Sequence, residues 1–340
     1  MSMKHFSSGS IRNYVINVLN GMALGLFASL IIGLIIKQLA GLVDASTISM
    51  FGRVAQLMMG PAIGAGVAHS VGASPLGIFA SMIAGAIGAG TVSFEGSSAI
   101  LHIGEPVGAL VASLAGAEIS KLVRGKTKVD IVLVPAATIV AGGFAGVYAG
   151  PWISSMMYIL GNMINLATQM HPLPMGILVA VMMGMILTLP ISSAALAISL
   201  GLSGLAAGAA TVGCCCQMVG FAVQSYRENG FGGLIAQGLG TSMLQIPNIV
   251  RNPWIWVPPI LSSAVLGPVA TLFFKMENNR IGAGMGTSGL VGQFGTFAEM
   301  GNSAWPGMIL LHFILPAVLT FFFSVYMRNK NYIKPGDMKL

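Results

Sequence analysis

Charge is nearly absent from this sequence. Of 340 residues, 16 are Lys or Arg and 9 are Asp or Glu, together 7% of the chain. A soluble domain carries about 25% charged residues and needs them to hydrate its surface. With 55% hydrophobic residues, the chain reads as an all-α polytopic membrane protein whose first partner is the lipid bilayer. The same scarcity excludes a secreted or cytosolic enzyme. It also excludes a nucleic-acid binder, despite a net charge of +7, because the few cations are spread over loops.

Apolar runs of spanning length fall at about 14–36, 47–70, 75–92, 106–120, 129–150, 174–192, 203–224, 232–249, 254–276 and 304–327. At about 20 residues per crossing, they predict about ten transmembrane helices with both termini on one side. Cytoplasmic loops retain Lys and Arg. With the termini inside, Lys4, Arg12, Lys121, Arg124, Lys126, Lys128, Arg251, Arg328, Lys330, Lys334 and Lys339 fall on the inner face. Only Lys37, Arg53, Arg227, Lys275 and Arg280 fall elsewhere. The expectation is a multi-pass protein of the cell membrane with cytoplasmic N- and C-termini.

The polar, basic stretch Met1–Asn13 precedes no short apolar core with a small-residue cleavage site, so the first apolar run is read as a helix rather than a signal peptide. Cys214, Cys215 and Cys216 are adjacent. Adjacent cysteines suit neither zinc-finger spacing nor a disulfide framework, and they read as small apolar residues in a helix.

Pro151 to His171 is only moderately apolar, with Ser154, Ser155, Asn162, Asn165, Thr168 and Gln169 along it. It predicts an amphipathic helix at the outer interface. Around it the chain reads as one membrane domain over 1–340 with two similar halves, about 14–150 and 174–327, then a cytoplasmic tail, 328–340. Gly108-Ala-Leu-Val-Ala-Ser-Leu-Ala-Gly leads to a charged loop and Ile131-Val-Leu-Val-Pro; Gly232-Gly-Leu-Ile-Ala-Gln-Gly-Leu-Gly leads to Arg251 and Trp254-Ile-Trp-Val-Pro. Both copies begin inside, which makes the repeat parallel.

Ionisable groups inside a membrane are costly, and they mark functional sites by default. Ser93-Phe-Glu-Gly-Ser-Ser-Ala-Ile-Leu-His-Ile-Gly-Glu-Pro106 holds Glu95, His102 and Glu105 between two short apolar runs. A re-entrant hairpin here brings the carboxylates to depth, where they accept hydrogen bonds from a hydroxylated substrate. A solvated outer loop is the bland alternative. Residues 280–302 hold seven glycines with Thr287, Ser288, Gln293, Thr296 and Glu299, and predict a second re-entrant hairpin. No Gly-Lys-Ser/Thr follows those glycines, so they form no phosphate loop. His69 and Gln217 lie in apolar runs; each lines a pathway or joins two helices by a hydrogen bond. His312 reads as a packed core histidine. No metal-ligand cluster, nucleophile elbow or paired catalytic carboxylates occur, so neither cofactor nor metal is expected, nor catalytic machinery within this chain.

Gln245-Ile-Pro-Asn-Ile-Val-Arg-Asn-Pro-Trp-Ile-Trp-Val-Pro-Pro-Ile260 resembles the Pro-Ile-Val-x-Asn-Pro-aromatic-aromatic-Ile-Pro stretch of sugar phosphotransferase-system EIIC permeases. Gly104-Glu-Pro106 is similar to their Glu-Pro step. In length and layout the whole chain resembles a stand-alone EIIC-like branch that includes a membrane regulator of clostridial toxin expression. The resemblance implies a homodimer of about ten helices per protomer, with two re-entrant hairpins and an interfacial helix. It implies a sugar near the midplane, held by a Glu and a His, moved inward and phosphorylated by a separate EIIB protein charged through EIIA. Asn252 matches the motif asparagine. Two departures stand out. Leu239-Gly-Thr-Ser-Met-Leu occupies the place of the Glu-Pro step without a carboxylate, and Glu105 lies in the other half of the chain.

Three functions compete. The first is an EIIC-type permease for a sugar or related small polar solute. The second is a membrane sensor on the same fold that binds without phosphotransfer. The third is a transporter coupled to an ion through Glu95, Glu105 or Glu299. The candidate substrate-binding residues are Glu105, His102, Glu95, Glu299, Gln293, Asn252, Gln217 and His69.

Overall fold

The computed structural model describes residues 8–340 except 43 and 97, so residues 1–7 of the basic N-terminal segment, with Lys4, lie outside the described residues. The chain forms two compact units, one ending at Ile153 and the other beginning at Ser154. It is helical, with a single two-stranded sheet among the described residues.

In the first unit, α1 (Ser8–Leu26) runs through a π-helical turn, Phe27–Ile31, into α2 (Ile32–Leu42). Then follow α3 (Ser46–Leu57), α4 (Met59–Ser70), α5 (Pro75–Ala89), β1 (Val92–Glu95), β2 (Ser98–Leu101) and α6 (Pro106–Val123). The limits of α5 follow from local chemistry. Ser74 Oγ accepts from Gly77 N at 3.2 Å and Pro75 supplies a preset φ. Gly90, at φ 67°, ends the helix in the left-handed region.

These helices meet along small residues. A Cβ on Gly66 would lie 2.1 Å from the Gly21 carbonyl oxygen, and one on Gly108 would lie 2.0 Å from that of Gly88. So α1 packs on α4, and α5 on α6, backbone to backbone. Within lipid, where burial of apolar surface drives little, such close van der Waals contact is what holds helices together.

Helix α7 (Asp130–Thr168) is 39 residues long and contains Pro135 and Pro151. Its contour of about 58 Å, at about 1.5 Å per residue, exceeds the hydrocarbon thickness. The segment read as a separate interfacial helix thus continues the fifth apolar run without a break, and the division between units falls inside it.

The second unit contains α8 (Pro172–Thr188), α9 (Ser193–Ser199), α10 (Gly204–Gln224), α11 (Tyr226–Ile235), α12 (Ile246–Arg251) and α13 (Val257–Pro268). It ends with α14 (Val291–Met300), α15 (Ala304–Gly307), a π-helical stretch Met308–Ile314, and α16 (Leu315–Asn329). Helix α10 is the core: 83% of its spanning window is buried, against 22% for α7. Val212 and Cys216 pack there with Leu266, Ala270, Met276, Met308 and Leu311.

Among the described residues, six helices are long and apolar enough to cross a membrane, and α5 and α8 are shorter apolar helices. The predicted span 232–249 is not one helix. It passes from α11 through a π turn to Thr241, which is extended at φ −159° and ψ 143°, then a 3₁₀ turn and α12. Gly and Thr in that stretch lower its helix propensity, and buried side chains satisfy the freed backbone groups. Residues 92–101 form an antiparallel β-hairpin, with Val92 opposite Leu101 and Glu95 opposite Ser98.

Candidate functional site

The strongest polar constellation surrounds α10. Gln217 Oε1 accepts from Trp256 Nε1 at 2.8 Å and from Thr188 Oγ1 at 3.2 Å. Thr188 Oγ1 lies 2.9 Å from Ser242 Oγ. One uncharged network therefore joins α8, α10, the 3₁₀ turn Ser242–Gln245 and the aromatic end of the Asn-Pro-Trp-Ile-Trp stretch. Thr188, Gln217 and Ser242 are fully buried, and Gln217 Nε2 has no hydrogen-bond partner.

A second cluster lies against the same helix. Gln293 Nε2 pairs with His312 Nδ1 at 3.1 Å and reaches Cys215 Sγ at 3.6 Å. An amide N–H donor makes Nδ1 the acceptor, which leaves Nε2–H as the imidazole's free donor. Both Gln293 Oε1 and His312 Nε2 are buried without partners. An unpaired buried polar atom costs about 1–3 kcal/mol. The cluster thus leaves one acceptor and one donor unpaired, the two roles that a hydroxyl group can complement. His312 is the core histidine that the sequence suggested, and its partner Gln293 gives it a polar role.

The glycine-rich segment is packed into the second unit. Asn278 Nδ2 donates to Thr211 Oγ1 at 2.7 Å and to the Gly292 carbonyl at 2.9 Å. Ser193 and Ser288 cap the carbonyls of Gly284 and Gly240 at 2.6 and 2.8 Å. Gly286 sits at φ 53°, where a Cβ would meet the Cys214 backbone at 2.8 Å, so glycine alone fits. Glu299, at the far end of α14, is exposed.

The Gln245–Asn252 turn is held by the residues that follow α16. Asn248 Nδ2 donates to the Lys339 carbonyl at 3.0 Å, and Gln245 Nε2 to that of Met338 at 3.0 Å. Asn252 Nδ2 donates to the Tyr332 carbonyl at 2.9 Å and to Asp337 Oδ2 at 2.7 Å. Met338 and Ile333 are buried against Phe221, Ile249 and Ile255. Asn252 is thus engaged by the tail rather than by the Gln217 or Gln293 clusters.

In the first unit, Glu95 and His102 are exposed on the hairpin, and His102 Nε2 lies 2.9 Å from Ser93 Oγ. Glu105 is half-buried at the start of α6, its N–H bonded to the Ala89 carbonyl at 2.9 Å. His69 lines a cavity of about 590 Å³ with Asn17, Asn20 and Ser70. Glu95 is therefore on the ribbon, His102 directly follows it, Glu105 lies at the start of the next helix, and His69 lines a separate cavity.

Asn17, Asn20, Thr188, Ser242 and Trp256 escape the sequence reading. Asn17 and Asn20 carry a legible signal, two amides three positions apart on one face of an apolar helix. The others become visible only once α8, α10 and the 3₁₀ turn are brought together. Among the described residues, no group of three or more His, Cys, Asp or Glu could hold a metal ion.

The family model described as phosphotransferase system, EIIC, matches residues 16–340. Neither the curated proteins nor the solved structures give a match to the chain.

Proposed function

The chain belongs to the phosphotransferase-system EIIC family, and on that premise we propose that it is a permease for a sugar or a related small polar solute. The chain is an all-α, multi-pass membrane protein of phosphotransferase type. The observation that carries the finer reading is the uncharged, buried hydrogen-bonding surface around α10, with Gln217 Nε2, Gln293 Oε1 and His312 Nε2 unpaired. Neutral donors and acceptors at depth suit a solute with many hydroxyls and no charge.

In this reading Gln217 and Gln293 bind hydroxyls of the solute within the second unit, and Glu105 and His102 of the first unit are separate candidates for the carboxylate and imidazole that the family implies. Glu95, Glu299, Asn252 and His69 are each proposed singly as solute contacts outside that buried surface. Phosphorylation comes from separate EIIB and EIIA partners, because Cys214, Cys215 and Cys216 are sealed within α10 and cannot meet a soluble phosphoryl donor. About ten crossings, two re-entrant segments, cytoplasmic termini and a homodimer belong to the same proposal. The Lys and Arg asymmetry and the internally satisfied backbone at 278–296 support it.

A sensor without phosphotransfer is the second reading. It is favoured by the absence of a carboxylate in Leu239–Leu244 and by the pairing of Gln245, Asn248 and Asn252 with the tail. Reconstituted vesicles separate the two. Uptake of a labelled sugar that requires phosphoenolpyruvate and the general phosphotransferase components supports the permease. Uptake indifferent to phosphoenolpyruvate overturns it, and binding with no uptake supports the sensor.

A further inference from the structure

Two cations of the first unit lie outside the inner-face set and have no role in the sugar path. Lys37 is on α2 and Arg53 on α3. A Cβ on Gly52 would lie 2.5 Å from the Gly33 carbonyl oxygen and 2.7 Å from Lys37 N. That close approach sets the backbone of Lys37 beside Gly52, next to Arg53. The two side chains line one cavity of about 390 Å³, together with Gln56, Leu57, Leu101 and Ile103.

Among the described residues, neither cation takes part in a salt bridge or hydrogen bond. Gln56 is 7% exposed and lines the same cavity. Its side-chain amide likewise has no partner among the described residues, although it is not sealed from the cavity. Lys37 and Arg53 are both exposed and line the same cavity, and two neighbouring cations without a counter-ion repel one another.

We propose that Lys37, Arg53 and Gln56 form a binding site for a phosphate-type oxyanion, carried by a phospholipid headgroup or by a soluble phosphate ester. Each of these three side chains can donate a hydrogen bond. Arg offers a planar fork that binds two oxygens, Lys adds a point charge, and the Gln56 amide N–H₂ adds a neutral donor. Leu57, Leu101 and Ile103 form an apolar wall for the carbon portion of the ligand. The site is distinct from the buried network around α10 and does not depend on the solute that network takes.

The test uses the full chain in neutral detergent and in bilayers. Isothermal titration with inorganic phosphate and with glycerol 3-phosphate reads the soluble source. Native mass spectrometry after extraction from mixed phosphatidylcholine and phosphatidylglycerol bilayers reads the lipid source. We expect Lys37→Gln/Arg53→Gln to weaken whichever anion binds by about tenfold or more. Arg280→Gln/Lys330→Gln, which removes the same charge elsewhere, retains binding. Arg53→Gln alone is the fallback if the double variant does not fold. Binding of the soluble esters alone assigns the site to a free anion, and selective retention of phosphatidylglycerol assigns it to a lipid. The proposal is overturned if neither probe binds, or if both double variants lose binding equally.

Discussion

Trp256 Nε1 donates to Gln217 Oε1 at 2.8 Å across the second unit. This bond ties the aromatic end of the family motif to the most buried helix of the molecule. It also turns the Gln217 amide so that its nitrogen is left unpaired.

Gln217→Leu removes the acceptor shared by Trp256 and Thr188 and should lower stability by about 1–3 kcal/mol. Trp256→Phe removes one donor while Thr188 keeps the acceptor occupied, so its cost should be smaller. Thermal unfolding in detergent of both single variants and the double variant gives the coupling. Strictly additive effects would show that the bond contributes nothing.

Arg328 and Glu228 form an ion pair at 3.0 Å, with side chains 17% and 9% exposed. Arg328 Nη2 also donates to the Gln224 carbonyl at 3.1 Å, and the Gly336 N–H reaches Glu228 at 3.3 Å. Glu228→Ala leaves a guanidinium buried without its counter-ion, at a cost of about 3–5 kcal/mol. Replacing both residues with glutamine should cost less than Glu228→Ala alone. Equal losses in the two variants would contradict the pairing.

A Cβ on Gly213 would stand 1.9 Å from the Ala180 carbonyl oxygen, whereas one on Gly150 meets nothing within 4 Å. Gly213→Ala should therefore force α8 and α10 apart and cost about 1–3 kcal/mol or more. Gly150→Ala, within helical α7, should stabilise by about 0.5–1 kcal/mol. Melting temperatures that move in the same direction for both would rule out close approach as the reason for Gly213.

Met338 is fully buried in the cluster with Phe221, Ile255 and Ile333. Met338→Ala should cost about 2–5 kcal/mol and loosen residues 330–340, which limited proteolysis would detect as earlier cleavage there. A cleavage rate equal to that of the unaltered protein would mean that the tail is held by its hydrogen bonds alone.

The sequence showed where helices lie because long apolar runs and scarce charge are local properties. It placed Cys214–Cys216 inside a helix and pointed to 280–302 as unusual through its glycines. It did not show that α7 runs unbroken through Pro151, since proline only lowers helix propensity and packing decides. Nor did it separate 232–249 into pieces, because apolar content says nothing about the extended Thr241. The strands of the hairpin at 92–101 are four residues each, and only the first alternates, which is too short a pattern to announce two strands. For the site, Gln217 and Gln293 were legible as rare polar groups in apolar runs. Their partners Trp256, Thr188 and His312 lie 19 to 39 residues away in sequence, and only the fold brings them into contact.

The tail has a consequence for biosynthesis. Asn248 and Gln245 are translated 91 and 93 residues before the carbonyls to which they donate, and Asn229 is translated 109 residues before its own acceptor. At about 5–20 residues per second, that is a wait of roughly 5–20 s. Throughout it, three amides destined for the interior must be satisfied by water, by headgroups or by one another. The second unit is therefore completed only by residues that follow α16 in the order of synthesis.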